Sequence, residues 1–266
     1  MNGEVQGKVG AMPDRRQQIQ DDDYAFPYHY VPEFRPGYSH TYWWPWGLYY
    51  ASAMEFVLDK VKALQPESVA DVGTGDGRLT RELALILPDA TVTGIDYSVR
   101  AIQLATALNP GLDFRCLDIV RDDVGEAFDV LTLIEVFEHI PPEMTDQFVA
   151  ALRPLLRDGG SLLVTVPHRN VKVSKKHFQH FSAASLRAHF ESHFVLEEEV
   201  FLDRRSRAVD WIRSLLENRY FILVHWGIRN RLYKLYKRRF LVSDEANCGR
   251  LFMRFRPKSM SSQATA

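Results

Sequence analysis

The sequence is short of cysteine, of long apolar runs and of any excess of charge, and each shortage removes a class of protein. Cys116 and Cys248 are the only cysteines, and neither stands in a Cys-x-x-Cys or Cys/His spacing. That excludes a disulfide framework and a cysteine-held structural zinc, and it points to a reducing, cytoplasmic setting. The longest later apolar run, Tyr220 to Trp226, is far below the ~20 residues a spanning helix needs. Residues 1–23 are polar and carry no apolar core of a secretion signal. The 33 Lys and Arg balance 34 Asp and Glu to a net charge of -1, so no overall field calls for nucleic acid or an anionic surface. Any such partner has to be met by a local patch.

What is present falls into stretches of different texture. Residues 1–23, rich in Gln, Asp, Gly and Arg without periodicity, read as a disordered leader, and 257–266 as a disordered tail. From Tyr24 to Trp46 ten aromatic residues alternate with Pro27, Pro32, Pro36 and Pro45, too broken for a helix and too apolar to stay solvated. This segment is expected to drape over a groove. Leu48 to Leu64 follows with apolar residues at helical spacing and stops before Pro66, so 24–66 reads as an aromatic cover plus a helix.

Next, short apolar runs alternate with amphipathic segments. The runs Ser68 to Val72, Thr91 to Ile95, Leu112 to Cys116, Phe128 to Ile134 and Ser161 to Val166 are predicted strands. Gly77 to Leu87, Val99 to Leu108, Pro142 to Leu156 and Ser182 to Phe190 are predicted helices, with Asp158-Gly159-Gly160 as a turn before the fifth strand. Phe194 to Phe201 and Leu251 to Phe255 are predicted late strands. Such alternation specifies an α/β domain with a mostly parallel sheet and helices on both faces, assigned to 67–202 plus 250–256. Residues 203–249 form a basic helical insertion.

The sharpest motif is Val69-Ala70-Asp71-Val72-Gly73-Thr74-Gly75-Asp76-Gly77, a strand entering a triple-glycine turn and then a helix. Glycine there permits positive φ and lets a ligand lie against bare backbone at a helix N-terminus. A dinucleotide fingerprint would need glycine at the position held by Arg78. Asp71 would repel a pyrophosphate but favour a sulfonium and an ammonium. Asp96 ends the second strand about 20 residues on, the spacing of a carboxylate that accepts from ribose hydroxyls, with Tyr97 beside it. Asp118 follows the third strand, where it can accept from an adenine amino group while Ile119 offers a backbone N–H. Taken alone, the glycine motif also reads as a tight strand-to-helix turn without a ligand, Asp96 as a helix cap and Asp118 as a loop cap. Three acids at three successive strand ends mark the ligand crevice of an open α/β sheet.

On these residues the stretch 67–167 resembles the core of the class I S-adenosylmethionine-dependent methyltransferases. The resemblance implies a Rossmann-like seven-stranded sheet with a reversed last strand and S-adenosylmethionine as cofactor. It assigns contacts to Asp71, Gly73, Gly75, Asp96 and Asp118, completed by Asp76, Gly77, Tyr97, Ile119 and Glu135. The stretch Ile134 to Pro141, with Val166-Pro167-His168-Arg169-Asn170, is similar to bacterial methyltransferases of ubiquinone, glycan and secondary-metabolite pathways.

Glu135, Glu138 and His139 have the spacing i, i+3, i+4, which one helical turn would project on one side beside the sulfonium. Methyl transfer from an activated donor needs a positioned acceptor and, for a hydroxyl, a proton acceptor. Glu135, His139 and His180 are the candidates, with His139 ahead. The segment His177-Phe178-Gln179-His180, combined with Glu-x-x-Glu-His, also resembles the metal-binding set of small-RNA 2'-O-methyltransferases. The Phe-Glu-Trp pattern that follows the histidines there is absent, and glycan-type relatives carry a similar His-Phe-Ser element, so the use of a metal stays open. No Asn-Pro-Pro-Tyr motif for exocyclic amino groups is present, which favours an oxygen acceptor.

Asp203 to Phe240 holds eleven Arg or Lys against Asp203, Asp210 and Glu217, together with many aromatic residues. Such a segment suits peripheral contact with the inner membrane face or an acceptor bearing phosphate, and it equally suits a solvated helical lid. The expectation is a cytoplasmic enzyme that methylates a hydroxyl of a sugar, a glycan precursor or a comparable metabolite, with nucleic acid an unlikely partner. The other readings are a metal-dependent RNA 2'-O-methyltransferase and an inactive cofactor-binding partner module.

Overall fold

The computed structural model describes residues 15–16, 18–19, 24, 28–30, 47–217, 220, 221, 223 and 225–259. The expected leader and tail, and most of the aromatic segment, lie outside them. Seven strands form one sheet: β1 (Ser68–Val72), β2 (Thr91–Asp96), β3 (Asp113–Cys116), β4 (Phe128–Ile134), β5 (Leu156–Pro167), β6 (Phe194–Leu202) and β7 (Arg250–Pro257). Their order is β3-β2-β1-β4-β5-β7-β6. The first five run parallel, and β7 lies antiparallel between β5 and β6. The order reverses between β1 and β4, so the crevice at their carboxyl ends is the switch point where such sheets bind ligands.

Both faces of the sheet are covered, which is why β1 is buried at all five positions. On one face α4 (Thr145–Leu152) and α5 (Ala183–Phe190) pack Phe148, Val149, Leu186 and Phe190 against Leu131, Leu133 and Val164. On the other, α1 (Gly47–Leu64) and α2 (Arg78–Ile86) place Leu48, Val57, Val61 and Leu83 against Val69, Val130 and Leu163. The helix α3 (Val99–Leu108) is capped by Ser98, whose hydroxyl accepts from the Ala101 N–H.

The basic insertion folds as α6 (Arg207–Leu216) and α7 (Trp226–Arg239) and joins the second core. Val209, Ile212, Tyr233 and Tyr236 pack into the same cluster as Val57 and Phe252. Its charges are therefore not all outward. Arg229 is buried, Arg213 pairs with Glu217, and Lys237 pairs with Glu55. The outward face of α7 carries Ile228, Arg231, Leu235 and Arg238. No helix among the described residues is long and apolar enough to cross a membrane.

Two local expectations are corrected. The helix expected over Pro142 to Leu156 is a 3-10 turn, Pro142–Met144, followed by α4, which ends at Leu152. Pro154 explains the early stop, because it has no N–H to continue the helical hydrogen bonds. Asp158-Gly159-Gly160 is not a turn before β5 but a bulge within it. The pairing jumps from Phe128 with Leu156 to Val130 with Ser161, and Gly159 takes φ +84°.

Candidate active site

The glycine turn joins β1 to α2, and hydrogen bonds from the Gly73 and Thr74 N–H groups to the Ile95 carbonyl, 2.7 and 3.0 Å, tie it to β2. Gly73, Gly75 and Gly77 have φ of +77°, +57° and +80°, a region a side chain would strain. Space is as restrictive as conformation. A Cβ on Gly73 would strike the Val136 side chain, and one on Gly75 would lie 2.7 Å from the Tyr24 hydroxyl. Gly77 supplies no side-chain cap to α2, and the Asp71 carboxylate takes a backbone hydrogen bond from Thr80 in its first turn.

Arg78, at the position where a dinucleotide fingerprint needs glycine, anchors the N-terminal segment instead. It is buried, pairs with Glu82 at 3.1 Å, donates to the His29 carbonyl at 3.2 Å and lies over the Tyr30 ring. The Tyr30 hydroxyl donates to the Asp76 carbonyl at 3.2 Å and accepts from Asn109 at 2.7 Å. Asp76 is 1% exposed, and His29 Nδ1 lies 3.0 Å from its Oδ2. Neither carboxylate oxygen accepts a well-formed hydrogen bond among the described residues. The described part of the aromatic segment thus rests on the glycine turn.

The three strand-end acids differ in what they hold. Asp71 is buried, and its two oxygens accept from the Thr132 and Thr80 hydroxyls, each at 2.8 Å. Burial pushes its pKa up, with the threonine bonds opposing. It therefore braces β1, β4 and α2 behind the turn and reaches the crevice through its field. Asp96 accepts from the Gly75 N–H at 3.0 Å and the Ser98 N–H at 2.9 Å, one on each oxygen. A carboxylate oxygen can accept more than one hydrogen bond. Tyr97 beside it is exposed. Asp118 accepts from the Val120 N–H at 3.0 Å, closing a turn that presents Ile119, and stands 3.4 Å from Arg121.

The constellation after β4 is not one helical face. Glu135 ends the strand with φ +57°, so its side chain leaves in a different direction from the 3-10 turn Phe137–His139. Its N–H donates to the Thr165 carbonyl at 3.0 Å, its Oε1 accepts from the Thr165 hydroxyl at 2.9 Å, and Arg250 Nε stands 3.6 Å away. Glu138 is fully buried, and burial followed by the charge of Glu135 raises its pKa well above the carboxylate range. His139 places Nδ1 3.1 Å from the Lys176 carbonyl and Nε2 4.0 Å from Glu138.

His180 has both ring nitrogens engaged. Nδ1 faces the Val171 carbonyl at 2.8 Å and Nε2 faces His177 Nδ1 at 2.8 Å. His177, passed over in favour of His180, is the ring that faces His139, with centroids 4.7 Å apart. Burial, then the neighbouring His139, pushes its pKa down to about 3, so it stays neutral. Glu138, His139 and His177 each offer a ligand atom, all within 4.8 Å of one another.

One group escaped sequence reasoning altogether. Arg250, the first residue of β7, lies beside Pro167 of β5 and points its guanidinium at both Glu135 and Asp203, with Asp203 3.2 Å away. Asp203 has φ +60° and accepts from the Tyr236 hydroxyl at 2.9 Å. Its burial pushes the carboxyl up to about 6 against the pull of Arg250. Three residues 47 or fewer positions apart in the second half of the chain thus brace Glu135, and no local pattern announces them.

A family model described as "Methyltransferase domain" matches residues 70–162. Ubiquinone biosynthesis O-methyltransferases are similar: that of Idiomarina loihiensis is 32% identical over 123 residues, 44% of this chain and 49% of the relative. That of Chromobacterium violaceum is 31% identical over 121 residues, 43% and 50%. The chain spans about half the length of these curated relatives. The N-methyltransferase NodS of Bradyrhizobium japonicum, solved with S-adenosyl-L-homocysteine, has the same fold, with TM-score 0.59 at 15% identity over 92% of this chain and 100% of that one. A TehB-like methyltransferase of Corynebacterium glutamicum gives TM-score 0.54 at 14% identity over 91% and 100%. Sheet order, glycine turn and matched domain agree: residues 70–162 carry a methyltransferase domain, and the fold is that of S-adenosylmethionine-dependent methyltransferases.

Proposed function

We propose that the chain transfers the methyl group of S-adenosylmethionine to a hydroxyl oxygen of a sugar, a glycan precursor or a comparable hydroxylated metabolite. The observation that carries this reading is the cradle itself. Three glycines at positive φ form a bare-backbone turn with no room for a Cβ, Asp96 accepts from the N–H of the middle one, and the Asp76 carboxylate within the turn is buried. When bound, S-adenosylmethionine supplies a methyl group on a positively charged sulfur. The backbone of Gly73 to Gly77 would hold its amino-acid end, Asp96 its ribose hydroxyls, and Asp118 with Ile119 its adenine. Tyr97 is exposed at the rim beside Asp96, where its ring can stack.

The acceptor enters where Glu135 stands, at the carboxyl end of β4. Thr165 and Arg250 hold one carboxylate oxygen, which orients the other to take the hydroxyl proton. The oxygen preference is supported by the O-methyltransferases among the relatives. The α7 face of Ile228, Arg231, Leu235 and Arg238 supports an acceptor linked to phosphate or lipid, met at an anionic surface.

The test is transfer from labelled S-adenosylmethionine to a panel of hydroxylated acceptors. Glu135→Gln is expected to lower turnover roughly 10²–10⁴-fold with the cofactor dissociation constant nearly unchanged. Full activity of Glu135→Gln would remove it as the proton acceptor, and transfer to amines alone would overturn the oxygen assignment.

A further inference from the structure

Between β5 and α5 the chain carries no carboxylate, and we infer that this loop, with the residues just after β6, binds the phosphate or diphosphate group of a soluble acceptor. Composition is the first argument. From His168 to Ser182 stand Arg169, Lys172, Lys175 and Lys176 and not one Asp or Glu, in a protein whose net charge is only -1. Just after β6, Asp203 is followed by Arg204, Arg205 and Arg207. Like charges gathered in this way repel one another, and an anion among them relieves the repulsion.

The fold is the second, because it brings both runs to one place beside the crevice. β5 and β6 are each antiparallel to β7, so both end on the side of the sheet where the crevice opens. The His168 N–H donates to the Gly249 carbonyl at 2.9 Å, the Gly249 N–H donates to the Leu202 carbonyl at 3.0 Å, and Arg205 Nη1 donates to the Asn170 carbonyl. These bonds tie the start of the loop to the residues after β6. Further along, the Phe178 N–H donates to the Glu138 carbonyl at 2.9 Å, so the loop returns against the turn that follows Glu135. Lys172 and Lys175 lie on the stretch between the two anchors, at the rim of the site.

Availability is the third. Arg169, Lys172, Lys175, Arg205 and Arg207 are exposed, and none of them meets a carboxylate among the described residues. Arg204 adds a buried Nε that donates to nothing among them. The nearest acids are engaged elsewhere: Glu245 accepts from the Ala183 N–H at 3.2 Å and stands 3.6 Å from His168, and Asp244 accepts from the Asn247 N–H at 3.0 Å. Inside the rim, Arg250 turns its Nε to Asp203 and Glu135, and its terminal nitrogens donate to no described residue. Guanidinium forks and ammonium groups at this density match the oxygens of a multiply charged phosphoryl group. A soluble acceptor fits better than a lipid surface, since Val173 is the one exposed large apolar side chain of the loop and Trp226, Ile228 and Leu235 are on α7. That the bound molecule is the methyl acceptor rests on the function proposed above, but the binding of phosphate does not.

The experiment titrates the full chain with inorganic pyrophosphate by calorimetry, with S-adenosylmethionine affinity measured on the same samples. Pyrophosphate should bind, raise Tm, and bind more weakly as salt goes from about 0.05 to about 0.5 M. Sulfate at the same ionic strength should bind at least ~10-fold more weakly, having less charge to offer. The combined variant Arg169→Gln, Lys172→Gln, Lys175→Gln should lose at least ~100-fold in pyrophosphate affinity while keeping that for S-adenosylmethionine. Without added anion it should melt no lower than the wild type, because its mutual repulsion is relieved. Equal binding of sulfate and pyrophosphate, or undiminished pyrophosphate binding by the triple variant, would overturn the subsite. So would binding to anionic vesicles that the variant loses and pyrophosphate does not displace, since the rim would then meet a lipid surface. A wild type that binds S-adenosylmethionine but ignores pyrophosphate would overturn the subsite alone. Pyrophosphate binding without any affinity for S-adenosylmethionine would support the subsite and overturn the function proposed above.

Discussion

Asp96 does two jobs that one substitution separates. Its oxygens hold the N–H groups of Gly75 and Ser98 at 3.0 and 2.9 Å, and the side chain is 8% exposed. Asp96→Ala leaves both donors without a partner, at about 1–3 kcal/mol each before water enters. For a chain of this size 1 kcal/mol moves Tm by about 2–4 °C, so a net loss of ~2 kcal/mol lowers it by about 4–8 °C. Binding loses more. Two charge-assisted bonds to a ribose diol contribute about 1.5–3 kcal/mol each, and after partial compensation by water ~2–4 kcal/mol remain. That is roughly a 30- to 1,000-fold rise in the dissociation constant for S-adenosylmethionine. Asp96→Asn keeps one acceptor oxygen for the turn and drops the charge, so it should melt near the wild type while binding about tenfold more weakly. Calorimetry and a thermal melt on the three proteins decide the matter. Unchanged affinity in a folded Asp96→Ala protein would refute the cofactor placement.

Gly73→Ala, which forces a Cβ into Val136 at positive φ, should cost about 2–4 kcal/mol, and adding Val136→Ala should restore part of it; strict additivity in a double-mutant melt would contradict the packing. Burial raises the Asp203 carboxyl from 3.8 to about 6, so the folded protein binds the proton more tightly than the unfolded chain. Its contribution is present below pH 4 and is lost as pH rises through about 6, by about 3 kcal/mol in all. The difference in melting temperature between wild type and Asp203→Asn should therefore fall from pH 4 to 6 and level off above 7, and a difference flat across that window would refute the shift. On α7, Arg231, Lys234, Arg238 and Arg239 are exposed and each should contribute about 1 kcal/mol at an anionic surface, screened over roughly 8 Å at physiological salt. Vesicles rich in anionic lipid should sediment the wild type at low salt but not the variant with all four changed to Gln. Equal sedimentation of both would show the face to be a solvated cover.

Local order decided much of this protein in advance. Alternation of apolar runs and amphipathic stretches places five parallel strands, because period and turn chemistry are properties of neighbouring residues. The glycine turn and Asp96 were legible for the same reason, since a strand, a positive-φ turn and a helix start follow one another within nine residues, Val69 to Gly77. What stayed hidden depends on contacts between distant segments. That Asp71 spends both oxygens on Thr80 and Thr132 follows only from β4 lying beside β1. The helical face supposed for Glu135, Glu138 and His139 dissolves because Glu135 takes φ +57° where the strand ends. Arg250 reaches Glu135 only because β7 inserts antiparallel between β5 and β6, and His177 rather than His180 faces His139 because the Val171 carbonyl holds His180 back. Spacing along the chain specifies which residues share a turn. Which of them share a site is set by packing, because a side chain's partners come from whatever segment the sheet and its two cores carry alongside it.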